Sequence, residues 1–214
     1  MRLSACEKIR AIAVSNLRHN FLPQFILSVL LLLLTPFLFG TANVDAKTAA
    51  IPLEMFVSLS GVILLPPVFL PEQHEGIRNV VEAKATAPAG VFAIRIGIAL
   101  VGMLALMAVF TLYMKENGCA VRFFPAVFGT FSNGVFLGAL GLLAYGLSDA
   151  IAVGYMAPMV CYMLNLFGGK KYFGNLYLFS MAEGSMTEKY WLLAVEIIGM
   201  ALALWCKSDP FRRR

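Results

Sequence analysis

Residues 27–39 read LSVLLLLLTPFLF, and this stretch decides the fold class. Its apolar residues run on without the in-out alternation that a membrane β-strand shows. Because only helices and closed barrels satisfy the backbone inside hydrocarbon, the run predicts a membrane-spanning helix. The whole chain agrees: of its 214 residues 60% are apolar and 14% are charged, whereas a soluble domain carries about a quarter charged residues. This composition excludes a water-soluble globule.

Five further apolar runs follow the first one. A helix needs about 20 residues to cross about 30 Å of hydrocarbon, and each run is close to that length or longer. The six predicted spans are Phe21–Gly40, Ile51–Leu70, Val91–Met114, Phe123–Leu147, Ala150–Phe167 and Tyr190–Cys206. Since the loops between them are short, we expect an all-α polytopic membrane protein whose six-span domain covers residues 21–207. The first run is longer than a signal-peptide core and predicts an uncleaved span.

The basic residues predict the orientation of these spans. Eleven of the 17 Lys and Arg residues fall on one side, at both termini and around the loop 71–90. Cytoplasmic loops carry the excess of Lys and Arg, so we expect both termini and this loop in the cytoplasm. The predicted location is the cell (plasma) membrane, and topology accounts for the net charge of +5 without a nucleic-acid partner.

The chain begins and ends with basic segments. Within residues 3–18, apolar residues recur at helical spacing between charged ones, which predicts an amphipathic helix over residues 1–20 in the headgroup layer of the membrane lipid. A plain charged tail is the alternative. Residues 208–214 end in Arg212, Arg213 and Arg214 and predict a basic cytoplasmic tail.

The loop after the second span reads PPVFLPEQHEGIRNVVEAKATAPAG, residues 66–90. Neither Pro66 nor Pro67 donates a backbone hydrogen bond, so the pair should interrupt the second helix. Pro71 suits the first turn of a new helix, and apolar residues at i, i+3 and i+4 spacing follow it. We therefore expect a short amphipathic helix over residues 71–88, followed by the third span.

This stretch carries a family resemblance. A span, then Glu72-x-x-Glu75-Gly76, an amphipathic helix, and Thr86-x-Pro88 before the next span resembles type-2 ATP-binding-cassette (ABC-2 type) transporter permease subunits. The resemblance implies six spans, an interfacial N-terminal helix, a coupling helix between spans 2 and 3, and a re-entrant hairpin before span 6. It also implies that two permease chains, identical or homologous, pair in the membrane.

The resemblance further implies a cytoplasmic ATP-binding-cassette ATPase that docks on the coupling helix. The expected docking residues are Glu72, Glu75, Gly76, Arg78 and Glu82. ATP and Mg would be bound by that partner, because this chain has no nucleotide-binding motif and no cofactor of its own is expected. The alternative is an ordinary capped interfacial helix without a partner.

Residues 168–189, GGKKYFGNLYLFSMAEGSMTEK, form the longest outer link. Their central apolar part is too short to cross a membrane, and segments of this length are often re-entrant or interfacial. We expect an outer hairpin here, which in the resembled family narrows the exit of the translocation route. An amphipathic loop that rests on lipid is the alternative.

Three acidic residues lie in or beside the spans. Glu196 is inside the last span and should be protonated, paired or in contact with a wet cavity, so it is a candidate for the substrate path. A neutral acid bonded to a neighbouring helix is the other interpretation. Glu54 should extend to the outer interface. Asp149 should cap the fifth span.

Small residues recur on one face of the fourth span. Gly134, Gly138 and Gly141 predict close helix packing, within the chain or between two chains. The four cysteines and two histidines show no metal-ligand spacing, so no metal is expected.

The function that this pattern favours is the transmembrane permease subunit of an ATP-driven transporter. Few charges lie in the spans, which favours an apolar or amphipathic substrate and, by resemblance, export. We expect no enzymatic activity, because no nucleophile, base or metal motif joins the polar residues of the spans. A non-transporting membrane scaffold or a channel-like protein is the alternative.

Overall fold

The structure is a computed structural model that describes residues 21–73 and 88–208. The described residues form helices and turns with no strand, and six of the helical segments are long and apolar enough to cross a membrane. The prediction of an all-α, six-span protein is therefore confirmed. The interfacial helix predicted for residues 1–20, the coupling residues 74–87 and the tail residues 209–214 lie outside the described part of the chain.

The spans have these bounds. Span 1 is Leu22–Phe39, span 2 lies within Ala46–Pro71, span 3 is Pro88–Glu116, span 4 is Phe123–Ser148, span 5 is Ile151–Gly168 and span 6 is Thr187–Ser208. Span 2 consists of the helices Ala46–Met55 and Ser60–Leu64 and the 3-10 helices Val57–Leu59 and Pro66–Gln73. Between spans 5 and 6 lie a short helix, Lys170–Phe173, and a 3-10 turn, Gly174–Leu176.

The loops after spans 1 and 3 meet at one end of the bundle. The Asn43 N–H donates to the Asn117 carbonyl at 3.0 Å, and the Ala120 N–H donates to the Val44 carbonyl at 3.0 Å. We call this end, which the basic-residue count assigns to the non-cytoplasmic side, the outer end. At the other, inner end, Lys207 of span 6 pairs with Asp149 of the turn between spans 4 and 5.

Spans 2 and 4 form the centre of the bundle. In their most apolar stretches 72% and 78% of the residues are buried, against 17% to 44% in the other four spans. The peripheral spans expose large apolar side chains, and Phe37 and Phe167 are more than four-fifths exposed. Such a surface is stable only in hydrocarbon, so the chain is a multi-pass membrane protein.

Trp191 and Trp205 of span 6 lie on the exposed surface near opposite ends of the helix. Fourteen residues at 1.5 Å each separate them by about 21 Å. Tryptophan concentrates at the two interfaces of a membrane, because its ring is apolar and its N–H is polar. The two rings therefore lie toward opposite ends of the span, about 9 Å closer together than the hydrocarbon layer is thick.

Glycines bring the two central spans into backbone contact. A Cβ on Gly61 of span 2 would lie 1.9 Å from the Gly134 carbonyl oxygen. A Cβ on Gly138 would lie 2.2 Å from Leu65 Cδ1, and one on Gly141 would lie 2.6 Å from the carbonyl oxygen of Gly154 in span 5. The glycines that the sequence singled out thus lie at contacts within one chain, where only a hydrogen leaves enough room.

Span 2 is broken at its midpoint, between the helices Ala46–Met55 and Ser60–Leu64. Side chains donate hydrogen bonds to the carbonyls there. The Tyr162 hydroxyl donates to the Met55 carbonyl at 2.9 Å, and the Ser58 hydroxyl donates to the Glu54 carbonyl at 2.5 Å. Irregular backbone at membrane depth is tolerated where it is buried in protein, and this break packs against span 4, with Tyr162 of span 5 bonded to its first carbonyl.

A second break lies nearer the inner end and confirms the interruption predicted from Pro66 and Pro67. The chain leaves the α-helix at Leu64, and the 3-10 helix Pro66–Gln73 runs through Pro71 instead of a new helix beginning there. Because Pro71 has no N–H, the Val68 carbonyl lacks its i+3 donor. The Arg95 guanidinium of span 3 donates to that carbonyl at 3.2 Å.

The prediction for Asp149 was wrong. Asp149 ends span 4 in the left-handed conformation, with φ of 53°, and Ala150 is the residue that precedes the first turn of span 5. The very short turn between the two spans requires a left-handed residue, and aspartate tolerates that conformation better than most side chains do. Its carboxylate pairs with Lys207 instead of capping span 5.

Candidate functional site: a buried polar cluster near the outer end

Glu54 lies in the last turn of the first helix of span 2, eight residues or about 12 Å below its start. Its side chain is fully buried and accepts three hydrogen bonds. Oε1 accepts from the Met181 N–H at 2.9 Å and from Lys189 Nζ at 2.6 Å, and Oε2 accepts from the Ala182 N–H at 3.0 Å. Two successive backbone N–H groups and one ammonium therefore hold this carboxylate.

Lys189, in the first turn of span 6, is the cation of the pair, and its side chain is also fully buried. Besides Glu54, Nζ contacts Asn133 Oδ1 at 2.8 Å and the Leu178 carbonyl at 2.5 Å. An ammonium group has three N–H donors, so each of them has an acceptor. A buried ion pair is stable only when its remaining hydrogen-bonding capacity is met, and this pair fulfils that condition.

Side chains of two further spans complete the cluster. Asn133 of span 4 donates to the Leu178 carbonyl at 2.8 Å, and Asn165 of span 5 accepts from the Leu178 N–H at 3.1 Å. Ser132 donates to the Lys189 carbonyl at 3.0 Å. Spans 2, 4, 5 and 6 thus converge on one stretch of the loop that precedes span 6.

That stretch of loop lies between the helices. Leu178, Phe179 and Ser180 are buried, and the Phe179 ring packs edge-on against Tyr162 at 5.5 Å between centroids. Between residues 169 and 186, all of them described, the only helical pieces are Lys170–Phe173 and Gly174–Leu176. The re-entrant character predicted for residues 168–189 stays a prediction.

A second ion pair, between the half-exposed Lys170 and the buried Glu188, lies outside the cluster. Lys170 Nζ lies 2.7 Å from Glu188 Oε1 and 3.7 Å from Glu183 Oε2. The hydrogen bond to the Glu188 carboxylate raises the pKa of Lys170 above its ordinary value. Water reaches Lys170 and Glu183 but hardly reaches Glu188, whose Oε2 also accepts from the Ser185 hydroxyl at 2.5 Å.

The prediction that Glu54 extends to the outer interface was wrong, because the loop covers the residue and Lys189 supplies a partner inside the bundle. Sequence reasoning placed Lys189 at the end of the outer link 168–189 and did not predict that it pairs with Glu54. One signal was present: opposite charges in apolar spans usually pair, and Glu54 and Lys189 each begin or interrupt an apolar run. Their partnership across 135 residues has no local pattern.

Glu196 lies on the buried stripe of span 6, seven residues below Lys189. Only 5% of its surface is exposed, and its Oε2 has no hydrogen-bond partner among residues 21–73 and 88–208. The packing of Gly199 against Ala139 places this stripe against span 4. The structure therefore sets Glu196 in the interior but does not join it to the cluster, and its role in a substrate path stays a prediction.

The predicted docking residues lie almost wholly outside the described part of the chain. Glu75, Gly76, Arg78 and Glu82 fall in residues 74–87, and the backbone of Glu72 belongs to the 3-10 helix Pro66–Gln73. In the described residues no three His, Cys, Asp or Glu side chains come together as they would to hold a metal ion.

The fold and this cluster define the class of the protein: a multi-pass helical membrane protein with a buried, charge-paired outer end. No protein-family model, curated protein or solved structure matches the chain.

Proposed function

We propose that this chain is the membrane-spanning permease subunit of an ATP-driven transporter. A separate cytoplasmic ATP-binding-cassette ATPase, carrying ATP and Mg, docks on the coupling segment 71–88, and a second permease chain completes the assembly. The chain itself hydrolyses nothing.

The observation that carries this proposal is the break at the midpoint of span 2, with Glu54 in the turn above it. Transporters commonly use discontinuous helices near the midplane of the membrane, and a 3-10 stretch inside a helix, such as Val57–Leu59, often marks a functional hinge. A static scaffold has no need for such a break, which leaves backbone groups that Tyr162 and Ser58 must satisfy.

The inner end offers a route for mechanical force. The 3-10 helix Pro66–Gln73 leads directly into the predicted coupling segment and is tied to span 3 through Arg95 and the Val68 carbonyl. A motor that moves the coupling segment would therefore act on spans 2 and 3 together. Alternating access needs such a link, because the motor must favour one state of the bundle over the other.

The proposed substrate class rests on how few ionisable side chains are buried inside the bundle. Few of the buried side chains in the described spans are ionisable: Glu54 and Lys189, which pair, Glu188 in the first turn of span 6, Arg95 near the inner end, and Glu196. An apolar or amphipathic cargo fits this interior better than a small ion does, because an ion needs rings of charge or carbonyl ligands along its path. Export is the direction that we propose.

Co-purification tests the proposal. The full chain, tagged at its native expression level and extracted in mild detergent, should bring with it a near-stoichiometric ATP-binding-cassette ATPase identified by mass spectrometry. Glu75→Lys should lower both the recovered ATPase and the ATP turnover by about tenfold, the effect of losing about 1.4 kcal/mol at an interface. Lys115→Glu, a charge reversal on the exposed outer end, is the matched control and should change neither.

Two results would reject the proposal. If no ATPase accompanies the folded chain, or if Lys115→Glu removes it as effectively as Glu75→Lys does, the coupling segment is not a docking site. Ion currents from vesicles that contain the chain alone would favour the channel-like alternative.

A further inference from the structure

The outer loop contains one compact turn bounded by two glycines. Gly174 and Gly184 both have positive φ, of 51° and 86°; the space at Gly174 is open, and a Cβ at Gly184 would lie 3.8 Å from Lys47 Cε. Inside the turn, the Gly184 N–H donates to the Met181 carbonyl at 2.9 Å. Residues 175–183, which we call the lid, can therefore rotate as one unit about its two glycine ends.

Three of the bonds that hold the lid are made by one ion pair. Glu54 accepts from the Met181 and Ala182 N–H groups, and Lys189 donates to the Leu178 carbonyl. Separation of Glu54 from Lys189 would disturb all three bonds at once. Neutral contacts hold the lid as well, because Asn133 and Asn165 bond Leu178 and Tyr162 packs on Phe179, so the ion pair is the charged part of a larger contact set.

The helix that carries Glu54 ends directly below it. Met55 is the last residue of this helix, and the 3-10 helix Val57–Leu59 follows. Tyr162 caps the Met55 carbonyl and packs on Phe179 of the lid, so the break and the lid share one side chain. A tilt of the outer helix of span 2 about this break would move the Glu54 carboxylate relative to Lys189.

We propose that residues 175–183 form a lid that opens over the outer end of the bundle, and that the Glu54–Lys189 pair latches it closed. Domain and loop closures commonly use a few hinge residues and a contact set with two discrete arrangements. A buried ion pair suits such a latch, because its desolvation cost nearly offsets its attraction and the closed state is only moderately favoured. The lid is a property of the chain alone and does not depend on an ATPase partner.

Ser180 is a suitable reporter for the lid. It is fully buried, and its hydroxyl has no hydrogen-bond partner among the described residues, so Ser180→Cys costs little. The experiment uses the full chain in lipid nanodiscs with Cys6→Ala, Cys119→Ala, Cys161→Ala and Cys206→Ala. A water-soluble methanethiosulfonate reagent then reacts with the thiol of the Ser180→Cys variant only while the lid is open, and Glu183→Cys, whose parent side chain is 46% exposed, gives the unhindered rate.

The latch predicts a definite order of labelling rates. Ser180→Cys should react more slowly than Glu183→Cys by about a hundredfold, and adding Glu54→Gln should raise the rate by about tenfold, the size expected when a local opening loses one charge-assisted hydrogen bond. Glu196→Gln replaces a buried carboxyl group that does not contact the lid and should leave the rate within about twofold. Equal rates with and without Glu54→Gln would overturn the latch.

A second variant covers the case in which Glu54→Gln fails to fold around the unpaired Lys189. The double variant Glu54→Gln/Lys189→Gln leaves no buried charge and should also label faster than the parent. Helix content by circular dichroism shows which variants are folded.

Hydrogen exchange of the unaltered protein supplies a test that needs no variant. Amides of residues 175–183 should exchange more slowly than those of the exposed turn 169–173 and faster than those in the middle of span 4. If the lid exchanges only as slowly as span 4, it never opens by itself and the proposal is wrong. Exchange as fast as in residues 169–173 would show that nothing latches it.

Discussion

Two buried carboxyl groups, those of Glu54 and Glu196, differ in how the cost of burying an acid is met. Glu54 keeps a complete set of partners, namely Lys189 and the N–H groups of Met181 and Ala182. Glu196 lies in a similarly buried position, yet its Oε2 has no partner among the described residues. Both regions line the surface that span 4 shares with its neighbours.

The comparison of Glu54 with Glu196 indicates which buried carboxyl group keeps its charge in this bundle. A carboxylate that is surrounded by donors stays ionised and organises what surrounds it, whereas an isolated acid in an apolar interior avoids the cost of charge by keeping its proton. The outer region is therefore held by charge and the region around Glu196 by packing. Substitutions should affect the two regions very differently.

The largest effect should come from removal of the cation. Lys189→Met leaves the Glu54 carboxylate buried without its counter-ion, so the free energy of unfolding should fall by about 3–5 kcal/mol. Unfolding of the detergent-solubilised chain by sodium dodecyl sulfate, followed by circular dichroism, measures the change. A loss below about 1 kcal/mol would mean that water or another cation stabilises the Glu54 carboxylate in place of Lys189.

A smaller loss should follow Gly61→Ala, which tests the backbone contact between spans 2 and 4. The new Cβ would lie 1.9 Å from the Gly134 carbonyl oxygen, so two backbones must separate. Overpacking of this kind typically costs about 1–3 kcal/mol. Gly97→Ala in span 3 is the matched control, because nothing lies within 4 Å of its Cβ, and it should not destabilise the protein in the same assay.

Glu196→Gln should change stability by less than about 1 kcal/mol, because an acid that is already neutral loses no charge. The same residue should react with dicyclohexylcarbodiimide, which modifies protonated carboxyl groups within apolar surroundings, while Glu54 should not. Mass spectrometry of the modified peptides distinguishes the two sites. Modification of Glu54 in preference to Glu196 would show that Glu54, not Glu196, is the protonated acid and would contradict the account.

The smallest effect concerns the pair of the half-exposed Lys170 and the buried Glu188. The pKa of Lys170 is raised, so its contribution is fully present below the ordinary lysine value of 10.5 and is lost only as the pH rises through the higher folded value. Lys170→Gln should therefore lower the unfolding midpoint by the same small amount at every pH between about 6 and about 9, since Lys170 stays charged throughout this range and its half-exposed ammonium is screened by solvent. A midpoint shift that varies within this range would show that the pair is coupled to the buried cluster.

The spans could be predicted because their signal is local. Runs such as residues 27–39 are long enough to cross hydrocarbon, and the interruption at Pro66 and Pro67 follows from two missing N–H donors. The small residues of span 4 likewise indicated close packing, although the partner glycine, Gly61, was not named.

The candidate site could not be predicted, because its parts are distant in the sequence. Glu54 and Lys189 are 135 residues apart, and the fold alone decides that the loop before span 6 enters between them. Residues 56–59, where the first helix of span 2 ends, contain no proline or glycine, so the residue types there do not predict the break. Asp149 was misassigned because the geometry of a very short turn outweighed its capping preference.

A double-mutant cycle on Glu54 and Lys189 tests most directly whether the paired charges hold the outer region. The cycle compares Glu54→Gln, Lys189→Met and the double variant by equilibrium unfolding in one detergent. The account predicts a coupling free energy of at least about 2 kcal/mol, with the double variant more stable than either single one. Additive losses, with a coupling free energy near zero, would contradict it.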